Sequence, residues 1–468
     1  MNLKKAAFIN ALGKYSKIFL TIVVNAILAR LLTPNDYGIV AVITVFSTFF
    51  TTFSDMGFST AIIQKKDLKK YDIDHIFSLT VYISFFLAIV FAFLSYPLSL
   101  FYNNHAYFSL GLLLSISLFF DALSMVPNGI LNRNKKFITI AFRTVIVYAI
   151  AAIITVVLAY LHFRYYSLAI QAILTAFFTF IWNYLSIRPK FNLRIDLSSV
   201  KKVLNYSGYQ FAFNIVNYFS RNLDNLLAGK FFGSTSLGYY NKAYSLMLYP
   251  VNNLTGVVTP VLHPLLSDYQ NIQSVIYEKY MKVFKILFCV ALIIAPICYL
   301  ASDEIIDIIY GSNWDASAEC FRILSIAIIP QMINASAGAV FQATNNTKLL
   351  FVNSCINTTI TVVAILLGVF WGRNIISLSY FVAGAYWLHF FTVYLMLIRL
   401  ALNRPLKEFF RQLIPEGIIL IGMVIACIMY NWHVSSLLFS LGLKGGYLGI
   451  IYLVLLFITG EYRIYIHL

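Results

Sequence analysis

Long apolar runs recur along the whole chain and are separated by short polar turns. Each run is about 20 residues long, the length that an α-helix needs to cross the hydrocarbon core of a bilayer. The pattern therefore predicts an all-α, polytopic membrane protein with about fourteen transmembrane helices. These lie near residues 13–32, 36–63, 76–101, 107–131, 138–161, 165–187, 206–230, 236–266, 280–301, 318–342, 347–371, 375–398, 412–432 and 443–460.

The predicted helices divide into two groups of six and a final pair. The boundary between the groups falls in the inner loop RPKFNLRIDLSSVKK, which carries five cations, a proline and few large apolar residues. We therefore predict an N-terminal six-helix bundle at 1–200, a C-terminal six-helix bundle at 201–400, and two additional transmembrane helices at 401–468.

The two six-helix groups carry a weak internal repeat. At an offset of 210 residues, the polar turn at 132–136 aligns with the turn at 342–346. Both groups begin on the same side of the membrane, which predicts parallel repeats related by an axis along the membrane normal. At an offset of 200, the matched pairs are Phe19 and Phe219, Asn25 and Asn225, Arg30 and Lys230, and Gly38 and Gly238.

Composition and charge agree with a membrane protein. Hydrophobic residues make up 60% of the chain and charged residues only 11%, with a mean hydropathy of +0.80, whereas about a quarter of a soluble protein is charged. The net charge of +16 could indicate nucleic-acid binding. Most of the 34 Lys and Arg, however, fall in loops on one side of the predicted helices. This positive-inside bias predicts that both termini are cytoplasmic and makes a nucleic-acid partner unnecessary.

The seventh predicted helix carries a polar stripe. Its members recur at spacings of 3 and 4, which places them on one helical face, and the first helix repeats the stripe 200 residues earlier. Charges and amides are costly in hydrocarbon, so we expect both stripes to face a water-filled cavity between two bundles. The members are Gln210, Asn214, Asn217, Arg221, Asp224 and the adjacent Asn225, and, in the first helix, Asn10, Lys14, Lys17, Thr21 and Asn25.

Structural interpretations of these residues remain open. Arg221 and Asp224 could simply pair with each other at i, i+3, and amides often bridge helices in membranes. Among other polar residues within spans, Asp121 is predicted to have a cavity-facing or proton-linked role. Arg143 is expected to extend its side chain to the inner surface, and Lys242 to lie one or two turns below the outer face.

Catalysis finds little support in the chain. It has no phosphate-binding glycine loop and no nucleophile motif, and its five cysteines are scattered without metal-ligand or disulfide spacing. We predict no metal, and we interpret the outer acidic residues as a solvated loop. These acidic residues are Asp303, Glu304, Asp307 and Asp315.

Two long segments resemble the signature regions of bacterial polysaccharide flippases. These are LARLLTPNDYGIVAVITVFSTFFTTFSDMGFSTAIIQKKDL (residues 28–68) and NLDNLLAGKFFGSTSLGYYNKAYSLMLYPVNNLTGVVTPVLHPLLSDYQ (residues 222–270). The branch looks like the colanic-acid-type exporters of the multidrug/oligosaccharidyl-lipid/polysaccharide superfamily. The resemblance implies alternating-access transport of an undecaprenyl-pyrophosphate-linked oligosaccharide across the bacterial inner membrane. It also implies contact with membrane lipids and a polysaccharide polymerase complex as a partner, and it leaves coupling to a proton or sodium gradient open.

This interpretation assigns roles to residues by their chemistry. Cations would bind the pyrophosphate, amides would bond to sugar hydroxyls, and an acid would carry a coupling ion. The alternatives are a cation-coupled multidrug exporter of the same fold and, in another class, a membrane polysaccharide polymerase or ligase. The expected substrate-binding residues are Arg221, Lys242, Asn214, Asn217, Asn225, Asn25, Arg30 and Lys230, and the expected ion-coupling residues are Asp224 and Asp121.

Overall fold

The computed structural model describes residues 3–463, apart from 56–57, 66–67, 197, 199, 201–207, 271 and 433. Within these ranges the regular secondary structure is helical and contains no strand. The chain forms two compact units, residues 1–238 and 239–468. The predicted division into bundles at 200 and 400 remains a prediction, because these units are sets of helices that pack together and are not defined by the sequence repeat.

The first unit contains helices α1 to α8. Their bounds are α1 Leu3–Leu31, α2 Pro34–Asp55, α3 Phe58–Gln64, α4 Lys70–Phe101, α5 Ala106–Arg133, α6 Phe137–Tyr160, α7 Tyr165–Ile187 and α8 Gly208–Phe231. Helix α5 is central, because it packs against α2, α3, α4 and α7. Helix α8, which opens the predicted second bundle, packs against α2.

The next helix, α9, begins in the first unit and continues into the second unit, which contains all the later helices. Their bounds are α9 Gly233–Ser267, α10 Gln273–Leu300, α11 Ser302–Ile309, α12 Asp315–Ser325, α13 Ile328–Ala343, α14 Thr347–Leu367, α15 Ile375–Tyr394, α16 Leu406–Gln412, α17 Ile414–Met429 and α18 Leu437–Thr459. Helix α10 is central here, with α12, α13, α17 and α18 packed around it.

The predicted class, an all-α polytopic membrane protein, is confirmed. Among the described residues, nine helices are long and apolar enough to span a bilayer, and eleven spans result if each of two bent helix pairs crosses once. The bends, 53° between α12 and α13 and 50° between α16 and α17, lie near Pro330 and Pro415, and proline interrupts helical hydrogen bonding. Helices α1, α8 and α9 are also long, so the helix pattern is consistent with fourteen spans.

Large apolar side chains remain on the surface of both units. Phe93, Trp371 and Ile428 each expose about three-quarters of their area, at 76%, 76% and 78%. Water would penalise so many exposed apolar side chains, whereas lipid would not. Their exposure therefore agrees with a membrane environment.

The offset of 210 residues between two turns is confirmed by their backbone geometry. Lys135 has φ 53° and Asn345 has φ 58°. The Lys135 amide donates to the Asn132 carbonyl, as the Asn345 amide does to Gln342. The next amide in each turn, that of Lys136 or Asn346, donates to Leu131 or Phe341. A matching left-handed residue and matching hydrogen bonds show that the two turns are built alike.

Candidate functional site

The turn between α1 and α2 is fixed by its own side chains. The Thr33 amide and hydroxyl both donate to Asp36 Oδ2, at 3.0 and 2.7 Å, and the Asp36 amide donates back to the Thr33 hydroxyl at 3.3 Å. This reciprocal arrangement is a capping box, and Pro34 starts the helix with a backbone angle suited to it. The TPND sequence thus sets the end of α1 and the start of α2. Arg164 adds an ion pair to the buried Asp36 at 3.4 Å.

The corresponding turn between α8 and α9 lies directly against this first turn. A methyl group built on Gly38 would lie 1.7 Å from the Ser234 carbonyl oxygen, and one built on Gly238 would lie 1.9 Å from the Pro34 carbonyl oxygen. The Ser234 hydroxyl also hydrogen-bonds with the Asn35 side chain. Only glycine allows such an approach of backbone to backbone. We call these two segments, residues 32–38 and 232–238, the paired turns.

Helix α8 continues this contact along the first unit. The Tyr102 hydroxyl donates to the Leu226 carbonyl at 3.1 Å, and the Tyr218 hydroxyl donates to the Val45 carbonyl at 2.6 Å. The rings of Phe49 and Phe219 lie 4.8 Å apart. The side of α8 that carries these residues is therefore committed to packing.

The described members of the polar stripe on α8 differ in exposure. Arg221 is exposed, whereas Asp224 and Asn225 are buried. The Asn225 amide donates to Asp224 Oδ1 at 2.8 Å. Among the described residues Arg221 forms no ion pair with Asp224, so the alternative of a simple i, i+3 pair is not realised. On α1, Asn25 is half-buried. The side chains of Asn214 and Asn217 lie outside the described part of the structure.

The other predicted cations are held locally. Arg30 is exposed, and its guanidinium donates to the Ala26 carbonyl at 2.8 Å. The Lys230 ammonium donates to the Phe101 carbonyl and lies 4.5 Å from the centre of the Phe101 ring. Lys230 therefore joins the end of α8 to the end of α4.

Lys242 in the second unit is buried against aromatic rings. Its ammonium lies 5.0 Å from the centre of the Tyr310 ring and 5.9 Å from that of Trp314, within the range of cation–π attraction. The Tyr239 carbonyl accepts a hydrogen bond from Ser317 at 2.9 Å. Lys242 thus faces the segment that follows α11. The sequence predicts that Lys242 lies one or two turns below the outer face. Its contacts with the Tyr310 and Trp314 rings help to stabilise the ammonium in a buried position.

Asp121 is half-buried on α5, where the Ser117 hydroxyl donates to it at 3.4 Å. Of the predicted residues in the first unit, the structure brings Asp224 and Asn225 together on α8 and Lys230 against α4. Lys242 belongs to the second unit. The functional roles assigned to these residues from the sequence are not tested by this geometry and remain predictions.

The expectation that Arg143 reaches the inner surface is wrong. Arg143 is 8% exposed, and its guanidinium donates to the side-chain oxygens of Asn128, at 3.0 Å, and Asn183. Sequence reasoning missed this cluster because its members lie 15 and 40 residues from Arg143. The available signal was an asparagine within each of two largely apolar helices, α5 and α7.

The outer acidic loop is also not uniformly solvated. Glu304 on α11 is buried, and it accepts hydrogen bonds from Ser440, at 2.6 Å, and Lys444 on α18, at 2.5 Å. Burial alone would raise the pKa of Glu304, but the bonds from Lys444 and Ser440 outweigh it and leave the pKa below its usual value. Asp303 pairs with Arg322. Glu304 is therefore part of the helix packing.

The chain is similar in sequence to proteins of polysaccharide biosynthesis. Residues 27–319 match a family model described as "Polysaccharide biosynthesis protein". The teichuronic acid biosynthesis protein TuaB of Bacillus subtilis (strain 168) is 24% identical over 339 residues, which cover 70% of this chain and 69% of TuaB. The lipopolysaccharide biosynthesis protein WzxC of Escherichia coli (strain K12) is 24% identical over 378 residues, covering 76% of this chain and 74% of WzxC.

Solved structures give the fold. The lipid II flippase MurJ, in an inward closed conformation, superposes with a TM-score of 0.74 at 15% identity, covering 98% of this chain and 100% of MurJ. An inward-facing multidrug resistance transporter of the MATE family superposes with a TM-score of 0.64 at 13% identity, covering 83% of this chain and 94% of that one. The first of these proteins is named as a flippase and the second as a transporter, and at these identities the likeness shows that this chain shares their fold.

Proposed function

Because this chain belongs to the polysaccharide biosynthesis protein family, we propose that it is a flippase for a lipid-linked oligosaccharide. The substrate is an undecaprenyl-pyrophosphate-linked oligosaccharide, which the protein moves across the bacterial inner membrane for O-antigen, capsule or exopolysaccharide synthesis. Both termini are placed in the cytoplasm in this proposal. A polysaccharide polymerase complex is the partner that would receive the product.

The observation that carries the proposal is the close contact of the paired turns. Residues 32–38 and 232–238 occupy corresponding positions in two repeats, and each turn contributes the glycine that lets the other approach. A membrane protein that alternates between access to two sides needs a closure that forms between its repeats. Gly38 and Gly238 supply such a closure at one end of α1, α2, α8 and α9.

A polar path is needed because the headgroup carries charge. Moving even one charged side chain to the bilayer centre costs about 2.5–3.5 kcal/mol on insertion scales, and a pyrophosphate with its sugars would cost far more. Arg221 is the strongest candidate for contact with the anion, since it is exposed on the α8 stripe. Lys242, Lys230 and Arg30 are weaker candidates, because each already has a local contact.

The amides and acids of the stripe have secondary roles in the proposal. Asn214, Asn217, Asn225 and Asn25 would hydrogen-bond with sugar hydroxyls. Asp224 or Asp121 would bind a coupling ion from a proton or sodium gradient. Measuring the transport rate of Asp224→Asn and Asp121→Asn, with and without a proton or sodium gradient, would show which of the two acids binds the coupling ion.

The test of the function is transport by purified protein in liposomes that carry a lipid-linked oligosaccharide. Arg221→Ala should slow translocation at least tenfold, and Arg221→Lys should restore part of the rate because it keeps the charge. Lys348→Ala, which removes an exposed cation of the second unit, is the matched control and should transport normally. If Arg221→Ala transported at the wild-type rate, the proposed anion contact would be wrong.

The two alternatives from the sequence give different results in the same experiments. A multidrug exporter would leave the oligosaccharide in place and confer resistance to organic cations on overexpression. A polymerase or ligase would lengthen or attach the glycan instead of moving its lipid carrier. Either result would replace the flippase proposal.

A further inference from the structure

Three ionisable side chains from distant parts of the second unit meet in its interior. Lys285 on α10 places its ammonium 2.9 Å from Glu416 Oε1 and 2.8 Å from Glu461 Oε1. Glu416 lies in the first turn of α17, and Glu461 follows the end of α18. Glu416 is fully buried and Glu461 is 8% exposed. We call these residues the inner triad.

The charges of the inner triad do not balance. Two carboxylates face one ammonium, which leaves one negative charge in a buried site. The Cys289 thiol on α10 lies close to both carboxylates, and the Tyr452 hydroxyl on α18 donates to the Cys289 carbonyl at 2.8 Å. Neither the thiol nor the hydroxyl supplies a positive charge.

The hydrogen bonds of the inner triad are also incomplete. Lys285 donates to Glu461 and forms an ion pair with Oε1 of Glu416. The other carboxylate oxygen of Glu416, Oε2, is buried and has no hydrogen-bond donor within the described part of the chain. Burying a carboxylate without a donor is strongly unfavourable, and such a group usually becomes neutral instead.

We propose that Glu416 and Glu461 together bind one proton. The proton comes from water and forms an O–H bond on a carboxylate oxygen of the pair, which makes the inner triad electrically neutral. Two carboxyl groups that share a site resist ionising together, because their charges repel. Since the triad joins α17 and the end of α18 to α10, loss of this proton would weaken the attachment of the last two helices.

A matched control lies in the same unit. Glu304 and Lys444 form a pair of one carboxylate with one ammonium, 2.5 Å apart, and Glu304 has a second donor in Ser440. That pair is balanced without a proton. Glutamine, which is neutral and similar in shape to glutamate, should therefore affect the two sites in opposite ways.

The first experiment compares melting temperatures of the full chain in detergent at neutral pH. Glu461→Gln and Glu416→Gln should leave the melting temperature unchanged or raise it, because a neutral glutamine takes the place of the protonated carboxyl group and one Lys–Glu pair remains. Glu304→Gln should lower it by several degrees. If Glu461→Gln and Glu416→Gln both lowered it as much as Glu304→Gln, the triad would be fully ionised and the proposal would be overturned.

The second experiment detects the proton directly and needs no variant. The chain contains six glutamates, all in the second unit, so ¹³C-labelled glutamate separates them from every aspartate, Asp121 included. The infrared spectrum at neutral pH should show the carbonyl stretch of one protonated glutamate, shifted by the label and by D₂O. Absence of this band, or stabilisation by sodium ions in its place, would overturn the proposal.

Discussion

The contact of the paired turns makes Gly238→Ala a sharp test of alternating access. The new methyl group would lie 1.9 Å from the Pro34 carbonyl oxygen, whereas a close carbon–oxygen contact is about 3.3 Å. The two turns would have to separate by roughly 1.4 Å. Gly238 itself has no left-handed backbone angle, so alanine meets no conformational strain there and the effect comes from the contact alone.

The expected magnitude follows from the cost of overpacking. Forcing an extra methyl group into a packed site costs about 1–3 kcal/mol, and this cost applies only to the state in which the turns touch. A change of that size shifts a two-state equilibrium by about 5–150-fold. Gly238→Ala should therefore depopulate the state with closed paired turns and slow transport.

Crosslinking measures that population. Cysteines replace Asn35 and Ser234, whose side chains are hydrogen-bonded, in a background without the five native cysteines, and a short thiol crosslinker reports the closed turns. Gly238→Ala should lower the crosslinking yield at least fivefold. Gly384→Ala is the control, because its methyl group would have no neighbour within 4 Å. A wild-type yield in Gly238→Ala would refute the reasoning.

Three further predictions concern stability, each measured by unfolding in detergent. The ionised Glu304 stabilises the wild type above the ordinary pKa of glutamate, and this stabilisation is lost as the pH falls through the lowered pKa of Glu304. Glu304→Gln should abolish this pH dependence, and an unchanged pH profile in the variant would contradict the prediction. Asn183→Leu removes an acceptor from the buried Arg143 and should cost about 1.5–3 kcal/mol, and no loss would mean that the guanidinium finds another acceptor. Trp314→Leu shortens a fully buried side chain and removes a cation–π contact of Lys242, so it should cost about 2–5 kcal/mol, whereas Trp371→Leu, on the exposed surface, should cost little.

The helices and their class were accessible from the sequence because both follow from local properties. A run of about 20 apolar residues satisfies its backbone internally as a helix. The capping box of TPND is local in the same sense, since it joins Thr33 and Asp36, which are only three residues apart. The likeness of the turns at 135 and 345 could likewise be read from aligned polar residues.

The partners of polar residues were not accessible in the same way. Arg143 was predicted to reach the inner surface, yet it bonds to Asn128 and Asn183 on two other helices. Glu304 was interpreted as solvated, yet Lys444, 140 residues later, lies against it. One sequence shows which side chains need partners in a membrane, but not which helices pack together to provide them.

The sequence by itself determined that this chain is a helical membrane protein, because hydrophobic length and turn residues are properties of neighbouring positions. The matched glycines at 38 and 238 were visible there as a coincidence of spacing. Only the tertiary structure decided that each glycine lies against the other repeat's turn, and that Lys285, Glu416 and Glu461 meet. These contacts depend on how helices far apart in the chain pack, which helical periodicity does not specify.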